Sequence, residues 1–501
     1  MTATHRTGVQ LITYADRLAG DLPGLGQLLD GELAGWFSGV HVLPFFTPYD
    51  AADAGFDPVD HTQVDPRLGS WDDVARLGRD RDVMADLIVN HVSAGSAEFQ
   101  DVVARGDRSP HAGMFLTMSD VFGEGATEQD LLRIYRPRPG LPFTPMVLGD
   151  ERRLVWTTFT SQQVDVNLAD PGGLAYLDRV LDALAAAGVR QVRLDAVGYA
   201  VKTAGTSSFM TPETFAFIDR LTRACHDRGM EVLVEVHAHY QRQIEIARQV
   251  DLVYDFALPP LVLHTLYTGD PAALVHWLAV RPANAVTVLD THDGIGVIDV
   301  GPDQDDPTRA GLLAPEQVDA LVEQIHQRSG GASRRATGWA ASNVDVYQVN
   351  CTFYDALGGD DRRYLAARAI QLFTPGLPQI YYVGLLAGRN DVDLLARTGV
   401  GRDINRAYLT PDEVRTALRR PVVRALRALV RLRSEHPAFA GELTVDRRGD
   451  ALRLHWRQED HEALLEIATG AGTSRLSWSG PDGPVQIEDL LALAELPAEV
   501  I

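Results

Sequence analysis

Val192-Arg193-Leu194-Asp195-Ala196-Val197 sets a carboxylate at the end of a short run of β-forming apolar residues. Val234-Glu235-Val236-His237 and Leu289-Asp290-Thr291-His292-Asp293 repeat the pattern. A carboxylate at the end of a buried strand is costly inside a core. It is well placed at the open rim of a (β/α)8 barrel, where barrel enzymes carry their chemistry. The three stretches therefore predict an α/β protein built on a TIM barrel. Three rim carboxylates also suggest cleavage of a glycosidic bond, which draws on a nucleophile, a proton donor and charge stabilisation.

Working outward, strand-like runs alternate with helix-like runs for most of the chain, the pattern of a parallel sheet. Strands are expected over 9–14, 40–46, 83–90, 189–194, 231–236, 252–256, 285–289 and 379–383, the eight that a barrel requires. Leu174, Leu177, Leu181 and Leu184 share one helical face before Gly188. Thr211 can cap a second helix, with Pro212 at its first position and Phe215, Ile218 and Cys225 as a buried stripe before Gly229. Two stretches rich in Pro and Gly, about 91–170 and 294–350, leave from strand ends and should overhang the barrel mouth as lids. An Arg-rich helix is expected over 414–433. Beyond it, Leu452-Arg-Leu-His-Trp456 alternates as a small β domain would. The expected division is barrel 1–91, insertion 92–170, barrel 171–293, second insertion 294–350, barrel 351–436 and C-terminal β domain 437–501.

Composition narrows the function classes. The chain has 501 residues, with 46 basic against 68 acidic for a net charge of −22. Such a charge fits nucleic acid and anionic lipid poorly. No apolar run approaches the ~20 residues of a membrane span, and residues 1–8 lack the apolar core of a secretory signal. Cys225 and Cys351 form no disulfide framework, and Cys225 continues a helical stripe as a buried thiol. A soluble cytoplasmic protein is expected.

Asp86-Leu-Ile-Val-Asn90-His91 ends the third strand, Asp195 the fourth and Glu235 the fifth, and His292-Asp293 follow the seventh, all on one rim. Arg193 and Asp195 face the same side of a strand, so Arg193 favours an ionised Asp195 as nucleophile. Glu235, among other carboxylates, is expected to hold the proton and act as the acid. Asp293 would stabilise the cationic transition state. His237-Ala-His239 could bind zinc if both lay on one strand face. Sugar hydroxyls account better for His91, His237 and His292, so no metal is expected.

These blocks resemble the signature regions of the α-amylase superfamily and, within it, the sucrose phosphorylase family. The resemblance extends to Val9-Gln-Leu-Ile-Thr-Tyr-Ala-Asp-Arg17, Leu43-Pro-Phe-Phe-Thr-Pro48, Asp53-Ala-Gly-Phe-Asp-Pro58, Leu68-Gly-Ser-Trp-Asp72, Tyr135-Arg-Pro-Arg-Pro-Gly-Leu-Pro-Phe143, Tyr254-Asp-Phe-Ala-Leu-Pro-Pro260 and Gly401-Arg-Asp-Ile-Asn-Arg406. It implies a retaining double displacement on sucrose and phosphate through a β-glucosyl-Asp195 intermediate, giving α-D-glucose 1-phosphate and fructose. It implies a glucose subsite of Asp53, Phe56, His91, Phe159, Gln163, Arg193, Tyr199, His237, His292 and Arg402, with Arg402 pairing Asp53 at its far end. Arg138 and Tyr347 match the phosphate-holding positions, and Asp345 and Gln348 the fructose contacts. Val346 stands where the family resemblance leads one to expect Leu, which bears on acceptor preference. No cofactor is implied, and a homodimer is left open. Sister phosphorylases of sucrose 6-phosphate, glucosylglycerol or glucosylglycerate, an α-glucoside hydrolase and an inactive amylase-like binding protein are the alternatives.

Overall fold

The computed structural model describes residues 8–500 except 52, 124, 137–139, 304–305, 307, 341–347, 450, 471–472 and 498–499, and the backbone alone of 338–340. Eight parallel strands close a barrel: β1 Gln10–Thr13, β2 Gly39–Val42, β3 Asp82–Ile88, β4 Gln191–Asp195, β5 Glu231–Val234, β6 Leu252–Asp255, β7 Ala285–Thr287 and β8 Leu377–Tyr381. Their order around the barrel is β1-β8-β7-β6-β5-β4-β3-β2. All eight expected strands are present. The last begins two residues earlier than expected and takes in Pro378, and its expected end, Tyr382 and Val383, opens a helix instead.

Strand alternation sends Val192, Leu194, Val232 and Val234 into the apolar layer under the helices, where none is exposed. The other face of the strands lines the barrel interior, and it is polar. Gln379 Nε2 donates to Gln10 Oε1 at 2.8 Å, Gln10 Nε2 to Gln191 Oε1 at 2.8 Å, and Gln191 Nε2 to Glu231 Oε2 at 2.9 Å. This relay of amides satisfies buried groups that would otherwise each cost about 1–3 kcal/mol.

The helix Pro171–Ala186 is capped by Asp170, buries Leu177, Leu181 and Leu184, and is followed by Gly188 at φ 76°. In the helix Pro212–His226 the Thr211 cap and Pro212 fall as expected, but the inward stripe is Thr214, Phe217, Ile218, Leu221 and Cys225. Phe215 is half-buried, because the face set by Ile218 and Cys225 continues through Leu221 and Thr214 at helical spacing. The Arg-rich segment is two helices, Pro411–Leu418 and Pro421–Glu435. Pro421 lacks the N–H that would continue the first helix, so it opens the second.

The chain between β3 and the helix Pro171–Ala186 carries the hairpin Phe143–Leu148/Glu151–Trp156 and pairs His91–Ser93 with Gln163–Asp165. The chain between β7 and β8 carries the helix Pro315–Arg328 and pairs Ile295–Gly296 with Gln348–Val349. The C-terminal sheet is an antiparallel meander of β9 Glu442–Arg448, β10 Ala451–Gln458, β11 His461–Ala468, β12 Thr473–Gly480 and β13 Gly483–Ile487. Leu452, Leu454 and Trp456 alternate inward and join the barrel's own hydrophobic core, and Trp456 Nε1 donates to Phe373 O at 2.7 Å. No helix among the described residues is long and apolar enough to cross a membrane.

Candidate active site

The register of β4 against β3 pairs Arg193 with Asp86 and Asp195 with Ile88. Arg193, 2% exposed, therefore reaches sideways to Asp86 and upward to Asp195. Its Nη1 lies 2.5 Å from Asp86 Oδ1 and 2.9 Å from Asp195 Oδ1, and its Nη2 lies 2.7 Å from Glu235 Oε1. One guanidinium thus gathers three carboxylates. The chain leaves β4 through Ala196 at φ 51°, left-handed backbone that is strained for a non-glycine residue. That turn aims the Ala196 N–H at Glu235 Oε2, 3.3 Å away.

The sharing bears on the charge of Asp195. Burial raises its carboxyl well above the usual range, and Glu235 and Asp86 add to the rise; Arg193 opposes it. Arg193 favours the ionised form as expected from its place on the strand, and that one cation also serves Asp86 and Glu235. Asp86, although burial raises it too, is held at about 2 by His41 and Arg193. Glu235 shares that guanidinium with Asp195 and Asp86, so a cation stands among the carboxylates around it.

Asp293 has the opposite surroundings. Burial would raise it, but Arg402 and Arg406 hold it far below the carboxylate range. Arg402 Nη1 lies 2.9 Å from Asp293 Oδ1 and 3.0 Å from Asp53 Oδ2, and Arg406 Nη1 lies 3.3 Å from Asp53 Oδ1. Asp53 itself is at φ 53°. Burial lowers His292 to about 3, so its ring is neutral, and it stacks on Phe56 with centroids 4.8 Å apart. Phe56 in turn lies 5.5 Å from the Arg193 guanidinium.

A second wall carries His91, Gln163, Phe159 and Tyr199. His91 Nε2 sits 3.0 Å from Phe56 O and 3.1 Å from Gln163 Nε2. Phe159 meets the His91 and Tyr199 rings edge-on, at 5.3 Å from each. On the remaining side His237 stacks on Phe256 at 3.9 Å, places Nδ1 2.9 Å from Asp299 Oδ2 and faces Gln348 Nε2 at 3.3 Å. His239 does not share this face. β5 has ended, and His239 accepts from Gln241 N as a helix cap while its Nε2 contacts Ala310 O. No group of three His, Cys, Asp or Glu side chains among the described residues could hold a metal ion. Arg138, Asp345, Val346 and Tyr347 lie outside the described residues.

Comparison with known proteins matches this architecture. Residues 4–243 match the family described as alpha amylase, catalytic domain. The chain is 57% identical over 479 residues to a sucrose phosphorylase of Agrobacterium vitis, covering 95% of this chain and 98% of that one. The chain belongs to the sucrose phosphorylase family. A second member, the sucrose phosphorylase of Bifidobacterium adolescentis, is 53% identical over 494 residues, covering 97% and 98% of the two chains. The crystal structure of sucrose 6F-phosphate phosphorylase from Thermoanaerobacter thermosaccharolyticum, a related phosphorylase, superposes with a TM-score of 0.89 at 36% identity over 97% of this chain and 98% of that one.

For a sucrose phosphorylase family member, sequence reasoning missed three polar groups of the site. Arg406 contacts both Asp53 and Asp293; it closes the Gly401–Arg406 stretch that carried the resemblance, yet it was not singled out. Asp299 holds His237, and its flanking Ile298 and Val300 were the available signal of a buried carboxylate. Ala196 has no signal, because its left-handed backbone follows from the turn and not from its side chain.

Proposed function

We propose that the protein is a sucrose phosphorylase, working in the cytoplasm without a resident cofactor on sucrose and inorganic phosphate. The observation that carries this reading is the placement of Asp195 and Glu235 on two nitrogens of one guanidinium, with Asp293 separately held by Arg402 and Arg406. Two carboxyls side by side suit a retaining pair, whose separation is about 5–5.5 Å. In the first step the Asp195 carboxylate forms a bond to the anomeric carbon while the bond to the fructosyl oxygen breaks and Glu235 gives that oxygen its proton. In the second, a phosphate oxygen bonds to the same carbon, Asp195 leaves as carboxylate and Glu235 recovers a proton from phosphate. In this reading Glu235 carries the proton in the reactive complex and Asp195 is the carboxylate.

Phe56, His91, Phe159, Gln163, Arg193, Tyr199, His237 and His292 surround the glucosyl unit in this reading. The Asp53–Arg402 pair closes the far end against longer chains. Residues 92–170 and 294–350 act as the lids. Arg138 and Tyr347 hold phosphate, Asp345 and Gln348 hold fructose, and Val346 tunes the acceptor. The deciding assay measures glucose 1-phosphate and fructose released from sucrose with and without phosphate. Phosphate-dependent glucose 1-phosphate is the expected result. Glucose release independent of phosphate would establish a hydrolase, and faster turnover of sucrose 6-phosphate a sister phosphorylase.

A further inference from the structure

Of the 46 basic residues in the chain one alone, Lys202, is lysine. On a protein surface the two cations replace each other at small energetic consequence. A single lysine among arginines therefore marks a place that a guanidinium does not fit. Its side chain is 2% exposed. Nζ lies 2.7 Å from Asp165 Oδ2 and 2.8 Å from Asn90 Oδ1, and it also donates to the Tyr199 carbonyl oxygen. Three acceptors around one ammonium use all three of its donors. The planar fork of an arginine, with five donors, would leave buried N–H groups unpaired in the same space.

The three acceptors belong to three segments. Asn90 ends the turn after β3 and adjoins His91. Asp165 belongs to the 92–170 insertion, pairs with His91 across the two-stranded sheet, and holds Thr158 N at 2.9 Å beside Phe159. Tyr199 lies on the turn after β4. Tyr199 is itself an acceptor, His91 adjoins Asn90, Gln163 is two positions from Asp165, and Phe159 follows Thr158, whose N–H and hydroxyl Asp165 accepts.

We propose that Lys202 is a positioning residue for the donor-sugar pocket, its ammonium pinning the insertion to the barrel and so setting the places of His91, Phe159, Gln163 and Tyr199. The inference rests on reading this pocket as the glucosyl subsite. Burial lowers Lys202 and Asp165 resists that, so the charged form depends on the pairing that holds the segments together.

The test compares Lys202→Arg and Lys202→Met with wild type for sucrose KM, the inhibition constant of glucose, phosphate KM and Tm. Sucrose KM and the glucose constant should rise about tenfold or more in both variants, with phosphate KM within about twofold. Variants with lower Tm but wild-type sucrose KM and glucose constant would reduce Lys202 to a fold-stabilising role and overturn the proposal. A readout independent of variant folding comes from wild-type protein labelled with ¹³Cε-lysine, whose single side-chain resonance should move as glucose is added. A resonance unmoved at saturating glucose overturns the proposal. Wild type that neither binds glucose nor cleaves sucrose would remove the proposed function and this inference together. Wild type that does both, with variants matching its constants, removes the inference alone.

Discussion

Asp299→Asn should loosen the proton on His237 and weaken phosphate use while leaving the catalytic carboxylates in place. Burial by itself would lower His237, but Asp299, with smaller help from Glu235 and Asp293, outweighs it and the ring's affinity for a proton is raised above the ordinary value of 6.5. The buried Asp299 carboxylate accepts from His237 Nδ1 at 2.9 Å, Ala238 N at 3.1 Å and Gln243 Nε2 at 2.7 Å. Asparagine keeps one oxygen for Ala238 and Gln243 and turns an amide N–H toward Nδ1, which can then only accept. The imidazolium loses its main partner and the ring gives up its proton more readily. An imidazolium donating from Nε2 beside Gln348 offers a charge-assisted bond to an acceptor oxygen, worth about 1.5–3 kcal/mol, so phosphate KM should rise about ten- to a hundredfold.

The pH dependence of Asp299→Asn has a definite sign. With the pKa raised on folding, the pair's contribution to stability is fully present below about 6.5 and lost as pH rises through the higher folded value. In the variant burial and the weaker pull of Glu235 and Asp293 remain but the Asp299 charge is gone, so His237 holds its proton less tightly than in wild type. Phosphate KM of wild type should therefore climb with pH across that window, and that of the variant should climb at lower pH. Urea unfolding at matched pH checks that the variant has lost no more than about 1–3 kcal/mol, the range for one unmade buried bond. An unchanged phosphate KM and an unchanged pH course in the folded variant would refute the reasoning.

Glu235→Gln should cut turnover of sucrose by about 10³-fold or more but that of α-glucosyl fluoride by far less, because fluoride leaves without a proton; equal losses would remove Glu235 as the acid. Arg402→Met should lower kcat/KM for sucrose about ten- to a hundredfold by loosening both Asp293 and Asp53, and should let maltose compete where it did not; wild-type kcat/KM would refute the closure. Asp290→Ala leaves Arg368, which is unexposed and held 2.6 Å from Asp290, with a buried uncompensated charge. It should destabilise the fold by about 3–5 kcal/mol in urea unfolding, and a loss under 1 kcal/mol would refute that pairing's weight.

Asp290 also shows how far the sequence could be read. Leu289-Asp290-Thr291-His292-Asp293 offers two carboxylates at one strand end, and nothing local separates them. Asp290 turns to Arg368, on a helix 78 positions away, and Asp293 to Arg402 and Arg406 beyond it. The eight strands were legible because alternation and apolar runs are local properties. Pro378 hid the start of β8 for the reason that proline usually marks a strand's edge. The pocket walls were legible only through resemblance, since the contacts of His91 with Phe56 and Gln163 come from chain far apart in sequence. Asp299 and Lys202 escaped because a buried ion pair is recognised by its partner, which the sequence does not place nearby.

The distribution of cations among the rim carboxylates sorts their roles better than any one of them does alone. The protein carries −22 overall, yet Asp293 has two arginines within 3.7 Å and a low proton affinity that follows from them. A group that stabilises a developing cation has to stay ionised through the reaction, and this one is built to do so. Asp86, Asp195 and Glu235 share Arg193, so their combined charge exceeds what one guanidinium balances. Asp86 lies deepest and is fixed as an anion by His41 as well, which leaves the deficit to the other two. A retaining mechanism asks for one carboxylate and one carboxylic acid at that position. The arginine that lowers the proton affinity of Asp195 also holds Glu235, so one guanidinium places both the nucleophile and the acid of the proposed mechanism.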